Sequence, residues 1–279
     1  MGKVFSWKEV KNGQVPKITS YDLVVSRVRR DLENSSAIVG AILCGSVAQN
    51  SFNERSDVDC LVVYNHPKRE ELTKVLHGIY IFAKKLYVPV ELIPVDSEIV
   101  STHMHHIGLP MLTHIGYAVE NGGLIKRNPL PLFFHRDKKE ADDVANYVRN
   151  KLRRIEKGIT SMKTMDTNDY HRFLQKALEA PMQIARQLLW WYQVDMVDDK
   201  KNTVVKKYSE IASGKELELF IKVLNSDREY FEALKMQVKK PSKDEYKLAI
   251  ERVEKIIPYT LEYIRLIALS VLTNNRSRA

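Results

Sequence analysis

Cysteine is nearly absent from this chain: two in 279 residues, Cys44 and Cys60, each beside an apolar run. That excludes a disulfide-stapled secreted scaffold and predicts two reduced, buried thiols. Long apolar runs are missing as well. The longest strongly apolar stretch, Leu266–Leu272, falls far short of the roughly 20 residues that cross a bilayer. No apolar segment follows a basic start, so a cytoplasmic protein with no membrane partner is expected. No internal repeat or low-complexity tract is present. With 44% hydrophobic and 28% charged residues, the chain reads as globular, long enough for one large domain or two ordinary ones.

Acidic charge is also in short supply, and unevenly so. The net charge is +9. Residues 1–130 hold 15 basic and 13 acidic groups, whereas residues 131–279 hold 29 and 22. The positive excess therefore lies in the second part, where a polyanion is attracted; a well-solvated surface is the alternative meaning of the same excess.

The apolar pattern changes along the chain at the same place. Ser20 followed by Tyr21, Val24, Val25, Val28 and Leu32 reads as an N-capped amphipathic helix. Ala37–Cys44, Val58–Tyr64 and Val88–Val95 are short, β-rich and apolar, which predicts three strands, the last an edge or frayed strand because of Pro89 and Pro94. Pro67 opens a helix predicted to reach Leu86. Beyond the connector RNPLPLF (127–133), apolar residues recur at helical spacing almost to the end. Pro181 is expected to kink or divide one helix, and Pro258 lies inside the long pattern Ser242–Leu272. The predicted fold is α+β: a small mixed β-sheet domain with flanking helices over residues 1–130, then an α-helical bundle over residues 131–279.

Within this frame one stretch resists a purely structural explanation. In CGSVAQNSFNERSDVDCLVVY (44–64), Asp57 and Asp59 head an apolar strand. Side chains two apart on a strand project to the same side, and burying unpaired like charges is unfavourable. Glu91 is a third carboxylate, in the third strand among Val88, Val90, Leu92 and Ile93. Three carboxylates from neighbouring strands form a hard-oxygen site suited to Mg²⁺. Gly45 permits close backbone approach and Ser46 offers a hydroxyl, so the two together can cradle a phosphate. A phosphate cradle beside metal-binding carboxylates is what nucleotidyl transfer requires.

The run LCGSVAQNSFNERSDVDCLVV with the later PVELIPV resembles the nucleotidyltransferase domain of the DNA polymerase beta superfamily over about residues 37–95. The resemblance implies that Asp57 and Asp59 bind two catalytic Mg²⁺ ions, that Glu91 is the third acid and candidate base, and that Gly45 and Ser46 hold the triphosphate of an NTP donor such as ATP. The layout of a small catalytic domain followed by a helical one resembles the antibiotic nucleotidyltransferases and toxin-type transferases of bacteria. Many antibiotic-modifying members have Arg-Gly after GSxA, where this chain has Gln49–Asn50. A basic contact to the triphosphate is then expected from Arg55 or from the helix bearing Arg149, Lys151, Arg153, Arg154 and Lys157, whose charges otherwise form a solvated face.

Other candidates are weaker. His103, His105, His106, His114 and His135 match no common zinc spacing. Trp190, Trp191 and Tyr192 either pack in the core or stack on a planar acceptor. Glu179 is a second candidate for general base. An aminoglycoside is a polycation and calls for an acidic pocket; Asp195, Asp198 and Asp199 are the only short run able to supply one. The basic second domain favours an RNA acceptor such as a tRNA 3′ end, with a small-molecule antibiotic acceptor or a noncatalytic nucleotide- or RNA-binding module as the alternatives. A homodimer is compatible with the sequence.

Overall fold

The structure, a computed structural model, describes residues 3–100, 115–132, 140–198, 200–233 and 241–276. The chain divides into two compact units: residues 15–137, and residues 1–14 together with 138–279. The first short helix, α1 (Trp7–Lys11), therefore belongs with the later helices. Ser6 caps it in a reciprocal capping box with Glu9. Val4 and Phe5 are buried. The Phe5 carbonyl accepts a 3.0 Å hydrogen bond from the Tyr246 hydroxyl, and Trp7 packs on the same tyrosine at 5.5 Å between ring centroids.

Unit 15–137 opens with α2 (Ile18–Asn34), whose cap position is Lys17, with no side-chain cap bond. The expectation that Ser20 caps this helix is overturned. Lys17 is the last extended residue, and Ser20 lies buried inside the first turn with its N–H already bonded to the Lys17 carbonyl at 2.8 Å. The sheet follows: β1 (Ile38–Cys44), the one-turn helix α3 (Gly45–Ala48), β2 (Val58–Tyr64), α4 (Arg69–Lys85), β3 (Val90–Asp96) and β4 (Leu124–Lys126). Pro67 sits in a 3₁₀ turn, His66–Lys68, just ahead of α4. Strand order is β3-β2-β1-β4. β1 runs antiparallel to β2 and β4, while β2 and β3 are parallel across α4. The sheet is mixed and the fold α+β, as the sequence predicts.

Alternation along the strands gives the sheet two different faces. Ala41, Leu43, Cys60, Val62 and Leu92 pack with Tyr21, Val24, Val28 and Leu32 of α2 and with Leu72, Ile79 and Ala83 of α4. Ile42, Cys44, Leu61, Val63 and Val95 belong to a second cluster with Val100, Ile115 and Ala118. β3 is an edge strand, consistent with Pro94 inside it and Pro89 just before it. The outward N–H of Leu92 donates to the Tyr80 hydroxyl at 3.2 Å, which occupies a donor that an open edge would leave free.

The helical unit contains α5 (Glu140–Ser161), α6 (Thr167–Trp191), α7 (Lys201–Ile211), α8 (Gly214–Ala233), α9 (Lys243–Glu254) and α10 (Ile257–Arg276). Two proline expectations resolve differently. α6 runs unbroken through Pro181, which is buried among Ala177, Leu178 and Ile184; packing holds the helix together where the ring removes one backbone bond. The Ser242–Leu272 pattern is two helices, and Pro258 occupies the first turn of α10, where its missing N–H is not needed. Gly158 of α5 lies directly against Phe173 of α6: a Cβ there would come within 2.0 Å of the ring.

Candidate active site

The site begins with the register of β2. Asp59 is paired with Cys44 at the end of β1 on one side and with Glu91 of β3 on the other. Aligned residues of neighbouring strands share a face, so Asp59 and Glu91 both point to the side away from α2 and α4, together with Leu61 and Ile93. Asp57, two residues before Asp59, joins them. One carboxylate oxygen from each of Asp57, Asp59 and Glu91 lies within 4.8 Å of the others. Both aspartates are half-buried and Glu91 is exposed. This is the convergence that the sequence predicts for these three acids.

The loop before β2 holds Asp57 firmly. The Arg55 N–H donates to Asn53 Oδ1 at 2.9 Å in an Asx turn, while Asn53 N–H donates to Ser56 Oγ and Ser56 N–H to the Asn53 carbonyl. The Tyr21 hydroxyl of α2 donates to the Ser56 carbonyl at 2.7 Å. Burial, reinforced by the negative charges of Asp57 and Glu54, pushes the Tyr21 hydroxyl well above its ordinary range, so it stays a neutral donor. Phe52 packs on the Tyr21 ring at 5.0 Å. Arg55 is 4% exposed; it lies within this loop rather than at an open surface.

Gly45 shows why the chain needs glycine at this point. Its φ is +73°, and a Cβ would stand 2.6 Å from Asp59 Oδ2. Both the left-handed backbone and the close carboxylate exclude a side chain. Ser46 follows in α3, partly exposed, and its carbonyl accepts from the Ser51 N–H at 2.9 Å. Gln49 is buried, and Asn50 takes φ +51°. Asparagine tolerates that left-handed conformation better than most residues, so the turn survives without the glycine of the Arg-Gly pattern. Beneath the acids, burial with Asp59 alongside pushes the Cys44 thiol up, and Cys60 is buried too. Both are free thiols, as predicted, and inert as nucleophiles.

The donor chemistry fits a divalent cation. Three hard oxygens meet within 4.8 Å, from Asp59 on β2, Glu91 on β3 and Asp57 just before β2. Such a group on a mixed sheet is consistent with a class of protein that presents carboxylates to a divalent cation. Residues 25–107 match the family model of the nucleotidyltransferase domain. This part of the chain is a nucleotidyltransferase domain of the polymerase beta-like superfamily, with Asp57, Asp59 and Glu91 as its candidate catalytic carboxylates. No curated protein matches the chain in sequence.

The remaining candidates fall in the helical unit or outside the described residues. Arg149, Arg153, Arg154 and Lys157 of α5 are exposed, whereas Lys151 is half-buried. Glu179 of α6 is buried and accepts from Gln175 Nε2 at 2.8 Å and from Lys176 Nζ at 3.1 Å. Trp190 and Trp191 are half-buried, and Trp191 stacks on Tyr192 at 5.1 Å. His103, His105, His106, His114, His135 and Asp199 lie outside the described residues. Among the described residues, no helix is long and apolar enough to cross a membrane.

Proposed function

We propose that the protein is a Mg²⁺-dependent enzyme that transfers a nucleoside monophosphate from a nucleoside triphosphate to an acceptor hydroxyl, with release of pyrophosphate. The observation that carries this reading is the meeting of Asp57, Asp59 and Glu91 oxygens within 4.8 Å inside a nucleotidyltransferase domain. Asp57 and Asp59, with Glu91, are the residues that would hold the cations. When bound, two Mg²⁺ supply charge stabilisation at the attacking and leaving oxygens. Gly45 admits the triphosphate close to the backbone and Ser46 donates its hydroxyl to it. Glu91, the most solvent-accessible of the three acids, takes the proton of the acceptor hydroxyl. Glu179 is the poorer base, because an ammonium and an amide already occupy its oxygens.

The acceptor we assign is an RNA end. Support comes from the +7 excess of residues 131–279 and from the exposed Arg149, Arg153, Arg154 and Lys157 along one helix, a pattern that attracts a phosphate backbone. Arg149 and Arg153 contact the polyanion, and Arg55 supplies counter-charge from within the loop. A neutral antibiotic acceptor is the second reading, favoured by the arrangement of one small catalytic domain followed by helices.

The test is incubation with each α-labelled triphosphate, Mg²⁺ and total cellular extract, with and without ribonuclease pretreatment. Label in RNA that ribonuclease abolishes supports the assignment. Label in a small molecule, unchanged by ribonuclease, moves the acceptor to the antibiotic class. No pyrophosphate release with any triphosphate and acceptor mixture reduces the protein to a nucleotide- or RNA-binding module.

A further inference from the structure

The three acids of the site do not share one support. Asp59 lies within β2, paired with Cys44 on one side and Glu91 on the other, and Glu91 lies within β3. Asp57 comes just before β2 begins, so its place depends on how the chain enters the strand. The two planar peptide units that flank a residue set its φ and ψ, and with them the direction in which its side chain leaves the backbone. Both units around Asp57 are tied to other parts of the sheet unit. The Val58 N–H donates to the Pro89 carbonyl at 2.9 Å, just ahead of β3. The Ser56 carbonyl accepts from the hydroxyl of Tyr21 on α2, 35 residues earlier, at 2.7 Å.

Packing alone does not account for tyrosine at position 21. Its side chain is fully buried in the same cluster as Val24, Val28 and Leu32, where phenylalanine would fill nearly the same volume without a hydroxyl to desolvate. The hydroxyl serves the loop. Its partner is the carbonyl adjoining Asp57, the ring is held by Phe52 of the same loop, and the charge of Asp57 acts on it. Groups that orient a metal ligand without touching the metal typically cost about 10–100-fold in affinity when removed.

We propose that Tyr21 is a positioning residue for the carboxylate site: its hydroxyl fixes the Ser56 peptide unit and so holds Asp57 at the spacing from Asp59 and Glu91 that a divalent cation requires. This role rests on the reading of those acids as a cation site, and it adds the part of the chain that sets the affinity. Without the hydroxyl the Ser56 carbonyl loses its buried donor, the peptide unit is freed to rotate, and the Asp57 carboxylate moves with it. Asp59 and Glu91 stay on their ladder. The deficit then falls on cation binding rather than on turnover of the loaded enzyme.

The test is Mn²⁺ titration of the full-length protein without nucleotide, read from the electron paramagnetic resonance signal of free Mn²⁺, an ion that takes the same hard oxygen ligands as Mg²⁺. Wild type is expected to bind, and Asp57→Asn to lose that binding. Tyr21→Phe is expected to bind about tenfold more weakly. Val28→Ala opens a cavity about two turns along the same helix; it should lower the melting temperature at least as far as Tyr21→Phe does while Mn²⁺ affinity stays at the wild-type level. Asn53→Ala opens the Asx turn leading into the same peptide unit and should weaken Mn²⁺ as well, so the unit can still be tested if Tyr21→Phe fails to fold. In pyrophosphate release by Tyr21→Phe, the Mg²⁺ concentration for half-maximal rate should rise by the same factor, with the rate at saturating Mg²⁺ returning near that of wild type. Wild-type affinity in Tyr21→Phe or in Asn53→Ala, or an equal loss in Val28→Ala, overturns the positioning role and leaves the cation site standing. Wild-type binding that is absent, or that survives Asp57→Asn, overturns the cation reading itself and the role of Tyr21 with it.

Discussion

The two charged clusters of this chain are assembled by opposite means. Asp57, Asp59 and Glu91 are brought together by strand register: one residue fixes the next through the β2–β3 ladder, and the loop of residues 53–56 is closed by its own turn bonds. Lys151, Tyr147 and Gln183 are brought together by the packing of two helices, which depends on bulk elsewhere, including the seat of Phe173 over Gly158. In the first cluster two carboxylates are half-buried and the third is exposed. In the second, burial lowers the Lys151 ammonium to about 8. A ladder places charges rigidly with little help from the core; a helix pair places them only as well as its core packs.

The largest break in this comparison comes from removing one ladder carboxylate. Asp59→Asn is expected to lower the rate of pyrophosphate release about 10³-fold, the loss of several kcal/mol of charge stabilisation. The melting temperature should stay near that of wild type; a large fall would mean that the acid serves the fold. Next in size is Gly45→Ala. Left-handed backbone costs a residue with a Cβ about 1–2 kcal/mol, and the methyl would meet Asp59 Oδ2 at 2.6 Å. Turnover should drop roughly 10–100-fold, with circular dichroism unchanged.

In the helical unit the corresponding disturbance is Gly158→Ala. Helix propensity favours alanine by about 1 kcal/mol, but the new methyl would lie 2.0 Å from the Phe173 ring, and overpacking typically costs about 1–3 kcal/mol. The expected result is a lower melting temperature, by about 2–4 °C per kcal/mol; Phe173→Leu in the same chain should restore it. Sheet carboxylates should be indifferent, so unchanged pyrophosphate release per folded molecule sharpens the contrast.

The smallest effect is expected at Glu71, which accepts from the Ser35 and Ser36 hydroxyls and from the Ala37 N–H at the entry to β1. Those bonds hold its carboxyl low, at about 2. A depressed folded-state value means that its contribution is complete above the ordinary carboxylate range and is lost as pH falls from about 4.5 toward 2. Melting temperature measured across that window should fall less steeply in Glu71→Gln than in wild type.

Much of the catalytic half was legible because a strand advertises itself. The apolar runs at 38–44 and 58–64 leave few alternatives, and two aspartates at the head of the second stand out against them. Glu91 was readable for the same reason, as a charge inside an apolar strand. Ser20 misled because capping residues also occur inside first turns, and only the extended Lys17 distinguishes the two. Pro181 misled because packing outweighed propensity, whereas Pro258 marked a true break. The inward turn of Lys151 was hidden. Lys151 reads as one more member of the basic run 149–157, and nothing local shows that it turns inward toward Gln183, which is 32 residues away.

The pairing of Phe5 with Tyr246 spans 241 residues. On a ribosome delivering roughly 5–20 residues per second, the sheet unit can fold as soon as its last strand emerges, whereas the opening segment waits a further several seconds for its tyrosine. Until Tyr246 is made, Phe5 and Trp7 lack that partner, so this segment is open to chaperones for longer than the sheet unit is.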